Sequence, residues 1–343
     1  MDQKKIIITI KRKAFGLLSG CFTNKIGETV SNNEEIKRIL ICRPNHRLGN
    51  LLLISPLVQE LESTFPNSEI DLLVNHSCAV QLYQNYENVD QVIAFPRNPF
   101  KNPIKFIRAF VQFRSKKYDL AINAAKESCS GKLFTSISKA SFKFVGDRGT
   151  DKKERHIAKQ VIYSLREFLP NIGAKPNDAM PSILDLRLAN DELIHGGSLV
   201  YDIVQNAQPT ICLYTHKSYK KTWWLDLYEH LQKAFPDVNI IEILSKENSS
   251  KIGFRAPVLY SNDVRELAAM IANTDVFIGA DSGVMQLASS SLTPTIGLFS
   301  VTDTEKYKPY NEGSVAVNTN EVELDALIAV VKNALYPNLD TSA

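Results

Sequence analysis

Short apolar runs alternate with amphipathic stretches of helical spacing along most of this chain, and this alternation most limits the folds open to it. The run RILICR at Arg38–Arg43 is followed by a helical pattern at Leu51–Thr64, and the alternation continues beyond it. Strands separated by helices pair in parallel in doubly wound sheets. The pattern occurs twice within 343 residues, a length typical of two domains. We therefore predict an α/β protein with two Rossmann-like domains facing a cleft.

The two halves are separated by a segment in which the alternation stops. Between residues 171 and 207, any long pattern is interrupted by Pro176, Pro181, Gly196 and Gly197. The predicted organisation is an N-terminal extension at 1–35, a first domain at 36–175, a connection at 176–207 and a second domain at 208–343. We allow the last predicted helix, Val322–Leu335, to cross back onto the first domain.

The composition, with 44% hydrophobic and 22% charged residues, is that of a soluble globular protein. Five scattered cysteines without a CxxC pair predict buried thiols in a reducing compartment rather than disulfides or a zinc site. No apolar run reaches the roughly 20 residues that span a bilayer, and Ile6–Ile10 is too short for a signal peptide. We expect a cytoplasmic protein, which could also lie at the inner face of the cytoplasmic membrane.

Two segments are strongly basic. Residues 1–25 carry six lysines and arginines against one acidic residue, with apolar residues at helical spacing, a pattern that suits either an anionic membrane surface or packing on the first domain. Arg97–Lys117 carries seven basic residues, no acidic residue and four interleaved phenylalanines. An anionic membrane or a phosphorylated acceptor suits this segment better than nucleic acid, because no nucleic-acid motif is present. A solvated helix face is the simpler alternative.

Three loops that follow predicted strands carry candidate functional residues. The loop Arg43–Asn50 (RPNHRLGN) offers Gly49 for close backbone approach and Asn50 as a helix cap. The loop Thr215–Trp223 carries three lysines, which suit a diphosphate or a solvated surface. Asp281-Ser282-Gly283 follows an apolar strand and begins a helix, which places backbone amides where they can bind an anion. Helix capping alone would also explain Asp281.

Other chemistries find little support in the sequence. GxGxxG, GxSxG, HExxH and Walker A motifs are absent, and no carboxylates cluster at metal-ligand spacing. We therefore expect no cofactor and no essential metal ion.

The three loops, in this order, resemble the family 9 glycosyltransferases, the lipopolysaccharide heptosyltransferases. Three segments carry the resemblance: Arg43, Gly49-Asn50 and Pro56-Leu57; Lys221-Thr222-Trp223; and Asp281-Ser282-Gly283 with Gln286, Pro294-Thr295 and Thr302-Asp303. It covers roughly residues 38–335. The resemblance implies a GT-B fold and inverting transfer of a heptose or related sugar, typically from an ADP-sugar, to a lipopolysaccharide core or other cell-envelope glycan. It implies no nucleic-acid partner.

The resemblance also assigns the candidate site residues. The donor is expected to contact residues of the second domain: Lys217, Lys221, Glu247, Asp281, Ser282, Gly283 and Gln286. The acceptor is expected to contact residues of the first domain: Arg43, Arg47, Gly49, Lys132 and Arg148. Within this set, Glu247 is expected to accept from the nucleoside ribose.

Two departures from the family pattern bear on catalysis. Asn50 stands where the family has its presumed aspartate base, and Gln286 stands where it has histidine. Asparagine is not an effective base near pH 7, so His46 in the same loop is the nearest titratable substitute, unless it is an ordinary surface histidine. The chain is therefore either an active transferase with an altered base or a catalytically silent nucleotide-sugar-binding relative that acts as a scaffold.

Overall fold

A computed structural model of the protein describes residues 35–146, 154–244 and 250–337. The chain forms two compact units: the first contains residues up to Arg47 and Pro56–Ser182, and the second contains Leu48–Ser55 and Ile183 onward. Each unit is built on one parallel sheet. The predicted fold class, with two Rossmann-like α/β domains, is confirmed.

Five strands form the sheet of the first unit: β1 (Arg38–Arg43), β2 (Glu69–Val74), β3 (Val89–Ala94), β4 (Tyr118–Asn123) and β5 (Ala140–Phe144). They pair in the order β3-β2-β1-β4-β5, and every pair is parallel. The central strand β1 is buried at five of its six positions, because helices cover both faces of such a sheet.

Between the first strand and residue 168, the described residues form six helices: α1 (Leu48–Leu52), α2 (Ser55–Thr64), α3 (Ala79–Tyr83), α4 (Pro103–Ser115), α5 (Cys129–Ile137) and α6 (Ile157–Phe168). The single helix predicted at Leu51–Thr64 is wrong, because the structure has α1 and α2 in its place. Pro56 lacks an amide hydrogen, and its ring would clash with the carbonyl of Leu52 in a continuous helix. The break therefore falls at residues 53 and 54.

Six strands form the sheet of the second unit: β6 (Thr210–Tyr214), β7 (Asn239–Ile243), β8 (Val258–Leu259), β9 (Val276–Ala280), β10 (Thr295–Phe299) and β11 (Val315–Asn318). Their order is β11-β10-β9-β6-β7-β8, again parallel throughout. Its helices are α7 (Asn190–Val204), α8 (Lys221–Ala234), α9 (Val264–Ala272), α10 (Gly283–Ser290), α11 (Thr304–Tyr307) and α12 (Leu324–Leu335).

Helix α7 occupies much of the range that the sequence assigned to a connection. It packs on α9, and Gly196 permits this contact, because a Cβ there would overlap the backbone of Ala269. Glu192 and Arg265 join the same two helices in a bidentate ion pair with N–O distances of 2.5 and 2.6 Å. The glycines that interrupt the sequence pattern thus serve close helix packing.

Helix α12, for which we allowed a return to the first domain, packs against α8 of the second unit. Leu327 and Val331 of this helix are buried with Trp224, Leu227 and other core residues of that unit. Because its apolar face is covered there, the helix completes the second unit's own core.

Candidate functional site

The second sheet has a topological switch point between β6 and β9. The chain runs from β6 outward to β7 and β8, then returns to β9 on the other side of β6. Ligands of doubly wound sheets bind at such a point, beyond the carboxyl ends of the strands. Two of the sequence-predicted loops follow these two strands: Thr215–Lys220 follows β6, and Asp281-Ser282 follows β9. The fold therefore brings them together.

Asp281 is the half-buried carboxylate of this site. Burial raises its pKa above the ordinary value, while the hydroxyl of Thr302, which donates to it, and the nearby His216 act in the opposite direction. His216 follows β6, Asp281 follows β9 and Thr302 follows β10, so the ends of three strands bring these side chains together. A carboxyl group whose pKa is shifted by burial, beyond the end of a strand, marks a candidate functional site.

His216 lies beside Asp281, and the sequence analysis did not select it. Burial lowers its pKa, and Lys217 lowers it further, so the ring is neutral near pH 7. Its Nδ1 lies 2.7 Å from the Ser218 hydroxyl, and its ring stacks on Tyr214 with 6.0 Å between centroids. Its position just after the apolar strand Thr210–Tyr214 could have indicated a site residue, but the sequence pattern of this loop was interpreted from its three lysines.

The loop after β6 is held by aromatic residues. The Trp224 Nε1 donates to the His216 carbonyl at 2.9 Å, and the Tyr219 ring stacks on Trp223 with centroids 4.4 Å apart. The Tyr219 hydroxyl lies 2.9 Å from Thr319 Oγ1, which follows β11. Lys217 and Lys221 are exposed on this fixed loop, and Lys221 is the first residue of α8. The two lysine side chains thus lie in solvent, whereas the aromatic rings that fix the loop are packed against the protein.

The first turn of α10 begins directly after Asp281. Ser282 is its N-cap and accepts a hydrogen bond from the Met285 amide at 3.2 Å. The amides of Gly283 and Val284 have no acceptor within the helix, as in the first turn of any α-helix. This turn can therefore donate to an anion.

Helix α1 packs on the same turn of α10. A Cβ on Gly283 would lie 3.1 Å from the Gly49 nitrogen, and a Cβ on Gly49 would lie 3.3 Å from Gln286 Cγ, so a larger residue at either position would have to displace its neighbour by a few tenths of an ångström. Asn50 follows Gly49 as the third residue of α1. Its predicted role as a helix cap is wrong, because the helix begins two residues earlier.

Gln286 is buried, with 3% of its surface exposed. Its Nε2 donates to the Tyr307 carbonyl at 2.8 Å, whereas its Oε1 has no hydrogen-bond partner among the described residues. A buried acceptor without a donor is costly, and a ligand hydroxyl or an ordered water would satisfy it. Its assignment to donor binding stays a prediction.

Of the predicted acceptor residues, Arg43 and Arg47 end or follow β1, and Lys132 follows β4; these two strands flank the switch point of the first sheet. Gly49, which we expected in the first domain, belongs to the second unit instead. Arg43 ends β1 and is largely buried, while His46 and Arg47 are exposed on the following loop. Lys132 lies in the first turns of α5, which follows β4. Residues Arg148 and Glu247 and most of the 1–35 extension lie outside the described residues, so their assigned roles stay predictions.

Desolvation lowers the pKa of His46, and the neighbouring charges of Arg97, Arg47 and His76 lower it further. The imidazole is therefore neutral near pH 7, which is the form that a general base requires.

Within the described ranges, no group of three or more His, Cys, Asp or Glu residues is arranged to hold a metal ion. None of the helices in those ranges combines the length and apolar character needed to cross a bilayer.

Residues 200–330 match the family model of glycosyltransferase family 9 (heptosyltransferase). This part of the chain is therefore similar to the glycosyltransferase family 9 domain. The resemblance to this family, and with it the prediction of a glycosyltransferase, is confirmed. A comparison with curated protein sequences gives no match.

Solved structures are similar in fold over 87–90% of the chain. A glycosyl transferase family 9 structure from Veillonella parvula matches with a TM-score of 0.71 and 16% identity, over 90% of this chain and 100% of that one. Escherichia coli heptosyltransferase WaaC with ADP matches at 0.65 and 15%, over 87% and 99%. Escherichia coli ADP-heptose lps heptosyltransferase II matches at 0.63 and 13%, over 88% and 99%. At these identities the likeness shows the fold.

Proposed function

We propose that this protein transfers a heptose or related sugar, with inversion, from a nucleotide-sugar donor to a lipopolysaccharide core or other cell-envelope glycan. The supporting observation is the convergence of Asp281, His216 and the lysine loop at the switch point of the domain that matches the family 9 model. One structural neighbour contains ADP, which makes ADP the first nucleotide to test here.

In the proposed reaction, the second unit binds the donor. Lys217 and Lys221 would neutralise the diphosphate, and the first-turn amides of α10 would donate to its oxygens as negative charge develops on the leaving group. Asp281 would accept hydrogen bonds from the sugar, and the Oε1 of Gln286 would accept another. Glu247 would accept from the ribose.

Inversion in a single displacement requires a base that takes the proton of the acceptor hydroxyl. Asn50 cannot supply it, whereas His46 is neutral near pH 7. We infer that His46 is this base, and that Arg43, Arg47, Gly49, Lys132 and Arg148 position the acceptor.

A second candidate function is nucleotide-sugar binding without turnover. The replacement of the family aspartate by Asn50 favours it. Turnover assays with a panel of nucleotide sugars separate the two functions, because a silent relative would bind a donor without consuming it.

Replacing Lys221 with alanine should weaken nucleoside-diphosphate binding by roughly 10–150-fold, since one charge-assisted phosphate contact is worth about 1.5–3 kcal/mol. Isothermal calorimetry with ADP measures the loss. Lys233→Ala, an exposed lysine in the last turn of the same helix, should bind normally. Equal affinities for both variants would contradict the assignment.

Transfer should be independent of divalent metal ions. Lysine side chains and helix-terminal amides would supply the positive potential that a metal ion otherwise provides. Rates measured in chelator and in added magnesium should agree within a few-fold. Loss of turnover in chelator that magnesium restores would show that the leaving-group site is wrongly assigned.

Asp281→Asn should weaken donor binding by roughly 10–150-fold while leaving the Tm at pH 7 unchanged or higher. The folded protein raises the pKa of this carboxyl, so its contribution to stability is present at low pH and is lost as pH rises through the folded value. Removing the buried charge therefore relieves a cost at neutral pH. The exposed Asp237→Asn serves as control, and a large drop in Tm would point to a structural role for Asp281.

A further inference from the structure

Helix α4 presents apolar side chains to solvent. Ile104, Ile107 and Val111 are 73%, 60% and 60% exposed. Their spacing of three and four residues places them in one stripe along the helix. Ala109 and Phe113 are buried on the opposite side, in the core of the first unit. The helix is thus anchored by one face, and its outer face is also apolar.

The turn before α4 extends this stripe. Phe100 is 83% exposed, and the Asn98 side chain fixes its backbone by accepting from the amides of Phe100 and Lys101 at 3.1 and 3.4 Å. A large aromatic ring is therefore held out from the surface by an ordered turn. Four strongly exposed apolar side chains thus lie between residues 100 and 111, a concentration of the kind that marks an interaction surface. We call Phe100, Ile104, Ile107 and Val111 the α4 face.

Basic residues surround the α4 face. Lys101, Lys105 and Arg108 are exposed beside it, and the segment Arg97–Lys117 contains no acidic residue. Arg114 lies on the other side of the stripe, where it donates to the Ile137 carbonyl. A partner that complements this surface must combine negative charge with an apolar layer.

We propose that the α4 face docks on an anionic lipid bilayer, with its four apolar side chains in the interface and its basic residues against lipid phosphates. Three of the four side chains are aliphatic, and these gain more from burial at the acyl boundary of a bilayer than from nucleic acid, whose bases bind by stacking on aromatic rings. The inference goes beyond sugar transfer, because it rests on α4 and does not depend on the donor site.

The test measures binding of the full chain to vesicles by co-sedimentation. Phosphatidylcholine vesicles containing phosphatidylglycerol are compared with phosphatidylcholine alone, at low and high salt. Binding should require the anionic lipid and weaken with salt. The triple variant Ile104→Ser, Ile107→Ser and Val111→Ser should bind at least roughly tenfold more weakly. The variant Lys101→Gln, Lys105→Gln and Arg108→Gln should lose roughly 100-fold, at about fivefold per charge.

Matched controls change the same kinds of residue elsewhere. Ile194→Ser with Tyr201→Ser removes exposed apolar side chains of α7, and Lys175→Gln, Lys233→Gln and Lys332→Gln removes the same charge. Both controls should bind vesicles like wild type. All variants should keep the wild-type Tm and ADP affinity, since the exchanged side chains are exposed.

Three results would overturn the proposal: equal binding to both vesicle types, variants that bind like wild type, or loss of vesicle binding in the controls. Two further outcomes would overturn it if the wild-type protein does not bind vesicles. One is that the wild type binds a single-stranded RNA oligonucleotide and the variants do not; the other is that the wild type self-associates in sedimentation velocity and the variants do not. Failure of sugar transfer alone would leave the vesicle result unchanged.

Discussion

Replacing His46 with alanine should lower the rate of sugar transfer by roughly 10²–10⁴-fold, the usual contribution of a general base. The family's aspartate is Asn50 in this chain, and His46, four residues earlier, is the nearest side chain in the sequence that can accept a proton near pH 7. Its imidazole is kept neutral by desolvation and by three positively charged or titratable neighbours. Turnover is measured with the donor that gives the largest thermal protection.

The pH profile supplies a second readout. A base must be unprotonated, so the wild-type rate should fall as pH decreases through the pKa of His46, which lies below the ordinary histidine value. The His46→Ala variant should lose this limb of the profile. His195→Ala, an exposed histidine on α7, should keep both rate and profile.

Asn50→Asp tests the alternative position of the base. The change is nearly isosteric, and an acidic residue in the first turn of a helix is favourable. If Asn50→Asp raises turnover by roughly 10²-fold or more while His46→Ala is silent, the chain lacks a base and His46 is a surface residue. If wild type is active and neither change alters the rate, both residues are structural.

Glu192→Gln should destabilise the second unit by about 3 kcal/mol. Arg265 is buried, and its guanidinium also donates to the carbonyls of Leu186 and Arg187 at 3.2 and 3.1 Å. Removing the carboxylate leaves a buried charge with those two acceptors and the neutral glutamine. The substitution weakens the packing of α7 on α9, so the midpoint of unfolding of this unit should shift to a lower urea concentration.

The measurement is urea unfolding followed by tryptophan fluorescence. Both tryptophans, Trp223 and Trp224, belong to the second unit, so the signal reports on that unit. Glu266→Gln is the control, because its ion pair with His195 is exposed and is worth at most about 1 kcal/mol. Equal midpoints for the two variants would contradict the role of the buried pair.

Most strands and long helices followed from the sequence alone. The strand at Arg38–Arg43 was predicted with the observed bounds, and the helix expected after Asp281-Ser282 is α10, which begins at Gly283. Their apolar period and flanking residues are local properties that the chain carries whatever its tertiary contacts. The elements β8, β11 and α11 were not predicted, since segments of two to four residues have too few positions to show a period.

The residues of the candidate site could be selected from the sequence only in part. Lys221 and Asp281 were selected because each lies in a loop that follows an apolar strand, and their roles stay predictions. His216 was missed, because its significance comes from the neighbouring carboxylate of Asp281, 65 positions away in the sequence, and from burial of both groups. Such electrostatic coupling arises only when β6 and β9 pair.

The sequence by itself thus determined the alternation of elements, the fold class and the loops that carry functional groups, since these depend on local apolar spacing. The tertiary structure decided what depends on contacts between distant segments. It assigned Leu48–Ser55 to the second unit, where Gly49 lies against Gly283, and it made α7 a packed helix through Gly196 and Arg265. A glycine in a sequence signals freedom of the backbone, but whether that freedom forms a turn or permits two helices to touch depends on what packs against it.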